Sequence, residues 1–430
     1  MGSQTFTPLT SSLQGTLNIP GDKSISHRAI MIGSLAKGKT AISNFLNGED
    51  CIRTITIFKQ LGVDIEINNT DVVINSLGYE NFIEPNQPLY FGNSGTTARL
   101  MLGILAGLPF HTVVYGDKYL TERPMDRVVL PLRKMNAEID GRNDGLLLPL
   151  AIRGKKLNPI DFNIPVESAQ VKSALIFASL FTDNESNLTE KALTRDHTEN
   201  MLNAFGAEIK TDGLKVKVKP NPKLVAKNIK VPGDISSAAF FLVAGALVPG
   251  SEITLANVGL NTSRTGVLEV LENMGAQISI NNIRTENDEK SGDITISYTE
   301  LNATVIEGEL IPKLIDEIPI LALLATQATG KTIIKDAEEL RVKETDRIKA
   351  VYETLTTLGA NITETKDGLI IEGKSTLNGG AIKSYGDHRM AMMGTIASLI
   401  TTEDVTLDSI DSINISYPAF LTDLNSLIKQ

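Results

Sequence analysis

The strings IGSLAKGKTAISNF, GILAGLPFHTVVYGD, ASLFTDNESNLTEKA, VAGALVPGSEITLANV, LALLATQATGKTIIKDA and IASLITTEDVTLDSI are variants of one pattern. Each is a small-residue helix end, a short polar or glycine turn, and an alternating strand. The six copies lie roughly 70–80 residues apart, a longer period than that of the short solenoid repeats. A second signature alternates with the first: LGVDIEI at Leu61, MNAEID at Met135, FGAEIK at Phe205, MGAQISI at Met274 and LGANIT at Leu358. Each follows a stretch such as EDCIRTITIFKQ or ETDRIKAVYETL with apolar residues at helical spacing. The glycine suits the left-handed residue that closes a helix before the next strand. A sixth copy would fall after Leu424–Ile428, where the chain stops. The N-terminal residues are therefore expected to pair back and complete the last unit.

A half-length echo sets the larger organisation. LNIPGDKSIS begins at Leu17 and IKVPGDISSA at Ile229, so Pro20-Gly21-Asp22 and Pro232-Gly233-Asp234 mark matching positions. The simplest arrangement is an α/β chain of six repeated helix/strand units, three per domain. One domain, residues 21–232, is inserted into a discontinuous one, residues 1–20 plus 233–430. Chain crossings are expected near Pro20 and Pro232, where proline fixes φ and glycine frees it.

The repeat also decides how to read Gly33-Ser34-Leu35-Ala36-Lys37-Gly38-Lys39-Thr40, which fits the phosphate-binding pattern G-x-x-x-x-G-K-[ST]. A nucleotide-binding loop follows a strand and opens a helix. Here SHRAIMIGSLA before it reads as helix and TAISNF after it as strand. The expectation is a helix-to-strand turn with no nucleotide.

Composition narrows the class. A net charge of −10 argues against a general nucleic-acid or membrane-surface binder but leaves room for a local cationic pocket. One cysteine, Cys51, rules out an intramolecular disulfide, as in a reducing compartment. The four histidines are not at metal-ligand spacing. The N-terminus MGSQTFTPLTSSLQG lacks a basic start and an apolar core, and no apolar run approaches the ~20 residues of a membrane span. The chain is expected to be soluble and cytoplasmic.

Several clusters do not repeat and are rich in groups that hold anions. In GDKSISHR, Lys23 and Ser24 fall at a helix start, where unpaired N–H groups favour anions, with Arg28 one turn on. The sister copy GDISSAAF keeps Asp234 and Ser236 but lacks the lysine and arginine, so folding does not need them. In GNSGTTAR, Gly92 and Gly95 let backbone amides approach a ligand, or simply make a tight turn. TERPMDR places Arg123 and Arg127 around Pro124, as an anion grip or a solvated loop. In RVKETDR, Lys343, Glu344 and Arg347 stand at i, i+1 and i+4, so Lys343 and Arg347 are expected on one helix face. GDHRMAM puts Arg389 near another helix start. Asp316, in LIDEIP, is either an N-cap or a base with a shifted pKa. In ESAQVK, Ser168 is a cap or a polar ligand beside Gln170. In RDHTE, His197 is a lone base or a satisfied surface histidine. Together these cations, spread over both halves at loop-to-helix starts, describe a cleft between two domains closing on a strongly anionic small substrate.

GDKSISHR, ERPMDR, KETDR and GDHRMAM, in this order along the chain, closely resemble the enolpyruvyl transferase family, in the branch that acts on shikimate 3-phosphate. The resemblance runs from Leu17 to Phe420 and implies a two-domain inverted α/β fold with the active site in the interdomain cleft. It implies transfer of the enolpyruvyl group of phosphoenolpyruvate to the 5-hydroxyl of shikimate 3-phosphate, with loss of phosphate. No metal or organic cofactor, nucleic acid or membrane is implied, and the enzyme is expected to be a monomer. By resemblance, Lys23, Ser24, Arg28, Ser168, Ala169 (through its backbone), Gln170, Arg195, Asp316 and Lys343 hold shikimate 3-phosphate. Lys23, Gly95, Arg123, Gln170, Lys343, Arg347 and Arg389 hold phosphoenolpyruvate. Asp316 and Glu344 move protons, with Lys23 assisting. Crowded cations should also lower lysine pKa values. SAQVK with RDHTE is similar to the second subclass of the family, often tolerant of glyphosate. That subclass has an N-x-T-R element, here Asn261-Thr262-Ser263-Arg264. Some tolerant members carry alanine at the position of Gly95, which this chain keeps. A lysine that many members have near the last aromatic-proline step is absent from Ile415-Ser416-Tyr417-Pro418.

Overall fold

The computed structural model describes residues 2–286 and 289–429. The chain divides into two compact units: Met1–Pro20, Pro232–Thr285 and Glu289–Gln430 form one, and Gly21–Val231 with Glu286–Asp288 the other. Each has its own apolar core.

Within each unit the repeat is literal. The inserted unit holds three four-stranded sheets. In strand order they are Ile229–Lys230, Lys37–Ser43, Asp71–Leu77, Asp64–Asn68; Leu89–Tyr90, His111–Tyr115, Leu150–Arg153, Glu138–Gly141; and Asp161–Asn163, Ser186–Thr189, Lys215–Val218, Ile209–Asp212. The discontinuous unit holds Gln14–Asn18, Glu252–Gly259, Glu289–Ser297, Gln277–Glu286, then Val305–Ile306, Gly330–Ile334, Leu369–Gly373, Asn361–Glu364, and a three-stranded sheet. In every sheet the first pair is parallel and the next antiparallel. A helix joins the parallel strands of most units, because a parallel pair cannot be closed by a tight turn.

The three-stranded sheet is Gly380–Ile382, Val405–Leu407 and Gln4–Phe6. The N-terminal strand runs antiparallel to Val405–Leu407, with Gln4 opposite Leu407, so the N-terminus completes the sixth unit. A detail absent from the sequence reading lies at the two Pro-Gly steps. Gln14–Asn18 precedes the helix Lys23–Leu35 yet joins Glu252–Gly259 in the discontinuous unit. Ile229–Lys230 precedes the helix Ile235–Leu247 yet joins Lys37–Ser43 in the inserted unit. Equivalent first strands have been exchanged between the units.

The closing glycine of the second signature behaves alike in every copy. Gly62, Gly206, Gly275 and Gly359 have φ between 90° and 102°, and Asn136 replaces glycine with φ 69°. Asparagine is the usual non-glycine occupant of that region.

Each repeat contributes one nearly all-buried helix and one amphipathic helix. The buried set is Lys23–Leu35, Gly95–Gly107, Ala169–Ser179, Ile235–Leu247, Ile318–Thr326 and His388–Ser398. Their interiors are mostly apolar, and polar residues gather at the N-terminal ends, where caps are needed. The motifs GDKS, NSGTT, SAQ, GDIS, DEIP and GDHR therefore all sit at the same structural position.

GSLAKGKT spans the end of the helix Lys23–Leu35 and the start of the strand Lys37–Ser43, with Lys39 exposed on that strand. It makes a helix-to-strand step. Among the described residues no helix is long and apolar enough to cross a membrane.

Candidate active site

In the inserted unit, Asp22 caps the first buried helix, its Oδ1 accepting from the Ile25 amide at 2.8 Å. This frees Lys23 and Ser24 to project from the first turn, both half-buried. Lys23 Nζ lies 2.6 Å from Asp50. Arg28 is buried; it donates to Thr198 Oγ1 at 2.6 Å, to Ser173 Oγ at 2.8 Å and to the Ser24 carbonyl at 3.0 Å. One guanidinium thus ties together the helices that begin at Lys23, Ala169 and His197.

The adjoining corner is fixed similarly. Gln170 accepts from Arg99 Nη1 at 2.6 Å and donates to Thr96 Oγ1 at 3.0 Å. Ser94 caps the helix Gly95–Gly107. Arg123 lies over Gly95: a β-carbon there would stand 3.0 Å from the guanidinium carbon and both terminal nitrogens. Gly95 is needed for close approach rather than for an unusual φ. Ser168 occupies the N-cap position of the helix Ala169–Ser179 without a side-chain capping bond, so capping does not use up its hydroxyl.

Arg195 is half-buried in the loop that precedes the helix His197–Ala204. That loop is riveted by Lys172, whose Nζ lies 2.8 Å from Glu199 and 3.0 Å from Glu190, all three side chains buried. Burial alone would lower the basicity of Lys172, but Glu199 and Glu190 outweigh it and raise it. His197 is buried, not the surface histidine the sequence suggested.

His27 reports the local field. It is fully buried, and its Nδ1 lies 2.8 Å from Thr54 Oγ1, in a hydroxyl chain through Thr97 to Ser94. Burial first, then Lys23 and Arg28, push its pKa well below the usual histidine value.

The discontinuous unit carries the acids. Asp316 Oδ1 accepts from Arg347 Nη1 at 3.2 Å and lies 3.5 Å from Lys343 Nζ. Arg347, 1% exposed, also binds Glu344 at 2.6 Å and Asp387 at 2.7 Å. Burial opposes its charge, but Asp387, Glu344 and Asp316 raise its pKa further. Asp387 meanwhile caps the helix His388–Ser398 through the Arg389 amide at 2.8 Å. Arg389 Nη1 donates to the Asp316 carbonyl at 2.9 Å.

Two expectations for this cluster need correction. Lys343 and Arg347 do not share a helix face: the helix begins at Arg347, capped by Asp346, and Lys343 has extended backbone. They meet instead because both reach Asp316. Nor is Asp316 an N-cap; Glu317 holds that position, without a side-chain capping bond. The cap falls to a residue whose carboxylate turns elsewhere, and Asp316 is left to the cations.

The structure therefore brings Asp316, Lys343, Glu344, Arg347 and Arg389 together in one unit. In the other it gathers Lys23, Ser24, Arg28, Gly95, Arg123 and Gln170, with Ser168, Ala169 and Arg195 on adjoining segments. Sequence reading overlooked Arg99, Lys172, Glu190, Ser173, Thr198, Glu317 and Ser236 as supports. Of these, Arg99, Lys172, Thr198, Ser236 and Glu317 lie inside motifs it had quoted. Each cluster can hold phosphate or carboxylate oxygens through fixed cations, and the cluster around Asp316 and Glu344 also presents two carboxylates for proton transfer.

The sequence profile of the EPSP synthase (3-phosphoshikimate 1-carboxyvinyltransferase) family matches residues 9–424. A 3-phosphoshikimate 1-carboxyvinyltransferase of Oceanobacillus iheyensis is 58% identical over 98% of both chains. One of Geobacillus thermodenitrificans is 55% identical over 97% of both. Among solved structures, EPSP synthase from Acinetobacter baumannii superposes with a TM-score of 0.90 at 40% identity, covering 100% of this chain and 98% of that one. The enolpyruvyl transferase NikO from Streptomyces tendae shares the fold, with a TM-score of 0.81 at 15% identity over 99% and 97% of the two chains. The chain thus belongs to the EPSP synthase (3-phosphoshikimate 1-carboxyvinyltransferase) family.

Proposed function

We propose that this chain transfers the enolpyruvyl group of phosphoenolpyruvate to the 5-hydroxyl of shikimate 3-phosphate, releasing phosphate, and that the polar groups of both units serve this one reaction. The observation that carries the reading is the Asp316–Lys343–Glu344–Arg347–Arg389 cluster in a chain of this family. The chemistry requires such a set. A proton is added to the methylene carbon of phosphoenolpyruvate while the 5-oxygen, losing its proton, bonds to the adjacent carbon. The tetrahedral adduct then loses a proton from the new methyl group and expels phosphate, which restores the double bond. Two proton-moving groups are needed, and fixed cations must stabilise the phosphate and carboxylate throughout.

Asp316 and Glu344 are assigned to the proton transfers, with Lys23 assisting. Lys23, Ser24, Arg28, Ser168, the Ala169 backbone, Gln170 and Arg195 are assigned to shikimate 3-phosphate, joined by Asp316 and Lys343. Lys23, Gly95, Arg123, Gln170, Lys343, Arg347 and Arg389 are assigned to phosphoenolpyruvate. SAQVK and RDHTE support membership of the second subclass. Two rivals are disfavoured by placement. A sister enzyme acting on a UDP-amino sugar relies on a reactive cysteine in a mobile loop, whereas Cys51 is buried on the helix Glu49–Gln60 with its thiol toward the Lys23 carbonyl at 3.9 Å. A nucleotide-binding loop is disfavoured by the helix-to-strand order of GSLAKGKT.

The test is phosphate release from phosphoenolpyruvate with and without shikimate 3-phosphate, repeated with a UDP-amino sugar and with ATP. Release only with shikimate 3-phosphate is expected. Release with the sugar nucleotide, or from ATP alone, would overturn the assignment.

A further inference from the structure

Next to Asp316 stands a second acid, Glu317, which is wholly buried. Its surroundings repeat those of the Lys23 helix start. Gly21-Asp22-Lys23-Ser24 has a sister in Gly233-Asp234-Ile235-Ser236. Both aspartates cap a buried helix, and both serines lie in the first turn. In the first copy Ser24 is assigned to a substrate anion. In the sister, the Ser236 hydroxyl donates to Glu317 Oε1. A carboxylate of the chain itself thus occupies the anion position at that helix start. Ile235 replaces the lysine, and Arg264 supplies the cation instead. Its Nη2 lies 2.6 Å from Ser236 Oγ and 3.4 Å from Asp234 Oδ1. On its other side Glu317 Oε1 faces Arg389, 3.6 Å from Nη1, the same nitrogen that grips the Asp316 carbonyl.

We propose that Glu317 is a positioning residue for phosphoenolpyruvate: held by Ser236, which Arg264 steadies, its carboxylate fixes the Arg389 guanidinium and, through the Asp316 carbonyl, the turn that carries Asp316. It does so without touching substrate. The proposal rests on the assignment of Arg389 to phosphoenolpyruvate. A buried carboxylate is retained only where its partners hold it, and an arginine with several rotamers binds best when a neighbour selects one.

The test is steady-state kinetics of Glu317→Gln, alone and combined with Arg389→Lys. Glutamine keeps the shape and can still meet Ser236, but loses the charge that orients Arg389. KM for phosphoenolpyruvate is expected to rise about tenfold, the scale of one lost charge-assisted contact, with KM for shikimate 3-phosphate within about twofold. In the Arg389→Lys background the same change should add little, since the group it orients is gone. An unchanged KM for phosphoenolpyruvate, equal rises in both KM values, or a full additional effect in the Arg389→Lys background would overturn the proposal. If Glu317→Gln does not fold, Ser236→Ala carries the same comparison; it keeps the charge and should raise KM for phosphoenolpyruvate several-fold, and no rise would count against the proposal. The wild-type enzyme is assayed first. Absence of phosphate release dependent on shikimate 3-phosphate defeats the functional reading, whereas an active wild type with indifferent variants defeats this inference alone.

Discussion

Replacing Lys172 by methionine should expose how the inserted unit holds the loop that carries Arg195. Lys172 is 1% exposed, and its ammonium is the cation shared by Glu190 and Glu199. It also donates to the Thr194 carbonyl at 3.3 Å, and Glu190 accepts from the Thr194 amide at 3.2 Å. Methionine preserves the stem but strands two buried carboxylates. Breaking a buried ion pair by removing one partner costs about 3–5 kcal/mol. The sign of the pH dependence follows. In the wild type the raised lysine pKa gives a contribution that is fully present below its unfolded value, about 10.4, and is lost only above it. The lysine's part is therefore flat across neutral pH, whereas Glu190, whose pKa burial already raises against the pull of Lys172, disfavours folding as pH rises above its unfolded value. In the variant Glu190, still desolvated and now without its cation, should be pushed further above the unfolded value of about 4.3. The folded variant then binds more protons than the unfolded chain, so its stability falls as pH rises. The deficit should be largest near pH 8 and shrink toward pH 5. Urea unfolding followed by far-ultraviolet circular dichroism measures it, since the chain has no tryptophan. The variant should also show a raised KM for shikimate 3-phosphate through the Arg195 loop. Adding Glu190→Gln and Glu199→Gln should restore much of the stability. A deficit below about 1 kcal/mol at pH 8, or one that does not change with pH, would refute the reasoning.

Gly95→Ala places a β-carbon 3.0 Å from the Arg123 guanidinium; KM for phosphoenolpyruvate should rise roughly 3–10-fold with KM for shikimate 3-phosphate unchanged, and an unaltered KM would show that Arg123 yields freely. Lys39→Ala should leave catalysis intact because Lys39 is exposed on a strand, while Lys23→Ala should abolish it; phosphate-release assays of the two variants would show the reverse order if GSLAKGKT bound a nucleotide. His27, held neutral by burial and by Lys23 and Arg28, takes up a proton on unfolding, so stability should be complete above pH about 6.5 and fall by up to about 1.4 kcal/mol per unit below it. His27→Gln should flatten that slope in urea titrations between pH 7 and 5; an identical slope would assign it to other groups.

Much of this architecture could be read from the chain because the repeat supplied its own controls. Five helix ends aligned at Gly62, Asn136, Gly206, Gly275 and Gly359 all adopt positive φ, a local requirement that sequence records locally. The order around GSLAKGKT was legible for the same reason. What escaped were pairings across long separations. Lys172 meets Glu190 and Glu199, and Ser236 meets Glu317, through sheet and helix packing that no periodicity reports. Lys343 and Arg347 have helical spacing, yet Asp346 caps the helix after Lys343, so a cap overrode the spacing. His197 was read as a lone base or a surface histidine because burial at the start of a short helix depends on its neighbours. The crossings at Pro20 and Pro232 were legible, but the strands that Gln14–Asn18 and Ile229–Lys230 join were not, because the two segments carry matching sequence and nothing local distinguishes pairing with one sheet from pairing with its twin.

That exchange sets a timetable for synthesis. Every strand of the inserted unit's sheets has left the ribosome by Lys230, so this half can fold while the remainder is still being made. Gln14–Asn18 must wait for the strand that begins at Glu252. Gln4–Phe6 must wait for Val405–Leu407. At roughly 5–20 residues per second, the roughly 400 residues that separate Phe6 from Val405 take about 20–80 s to translate. For that interval Gln4–Phe6 has no partner, and an unpaired strand invites the wrong one. The segment MGSQTFTPLTSSLQG, rich in serine, threonine and glutamine and interrupted by Pro8, is composed to stay in water until its place in the sheet exists.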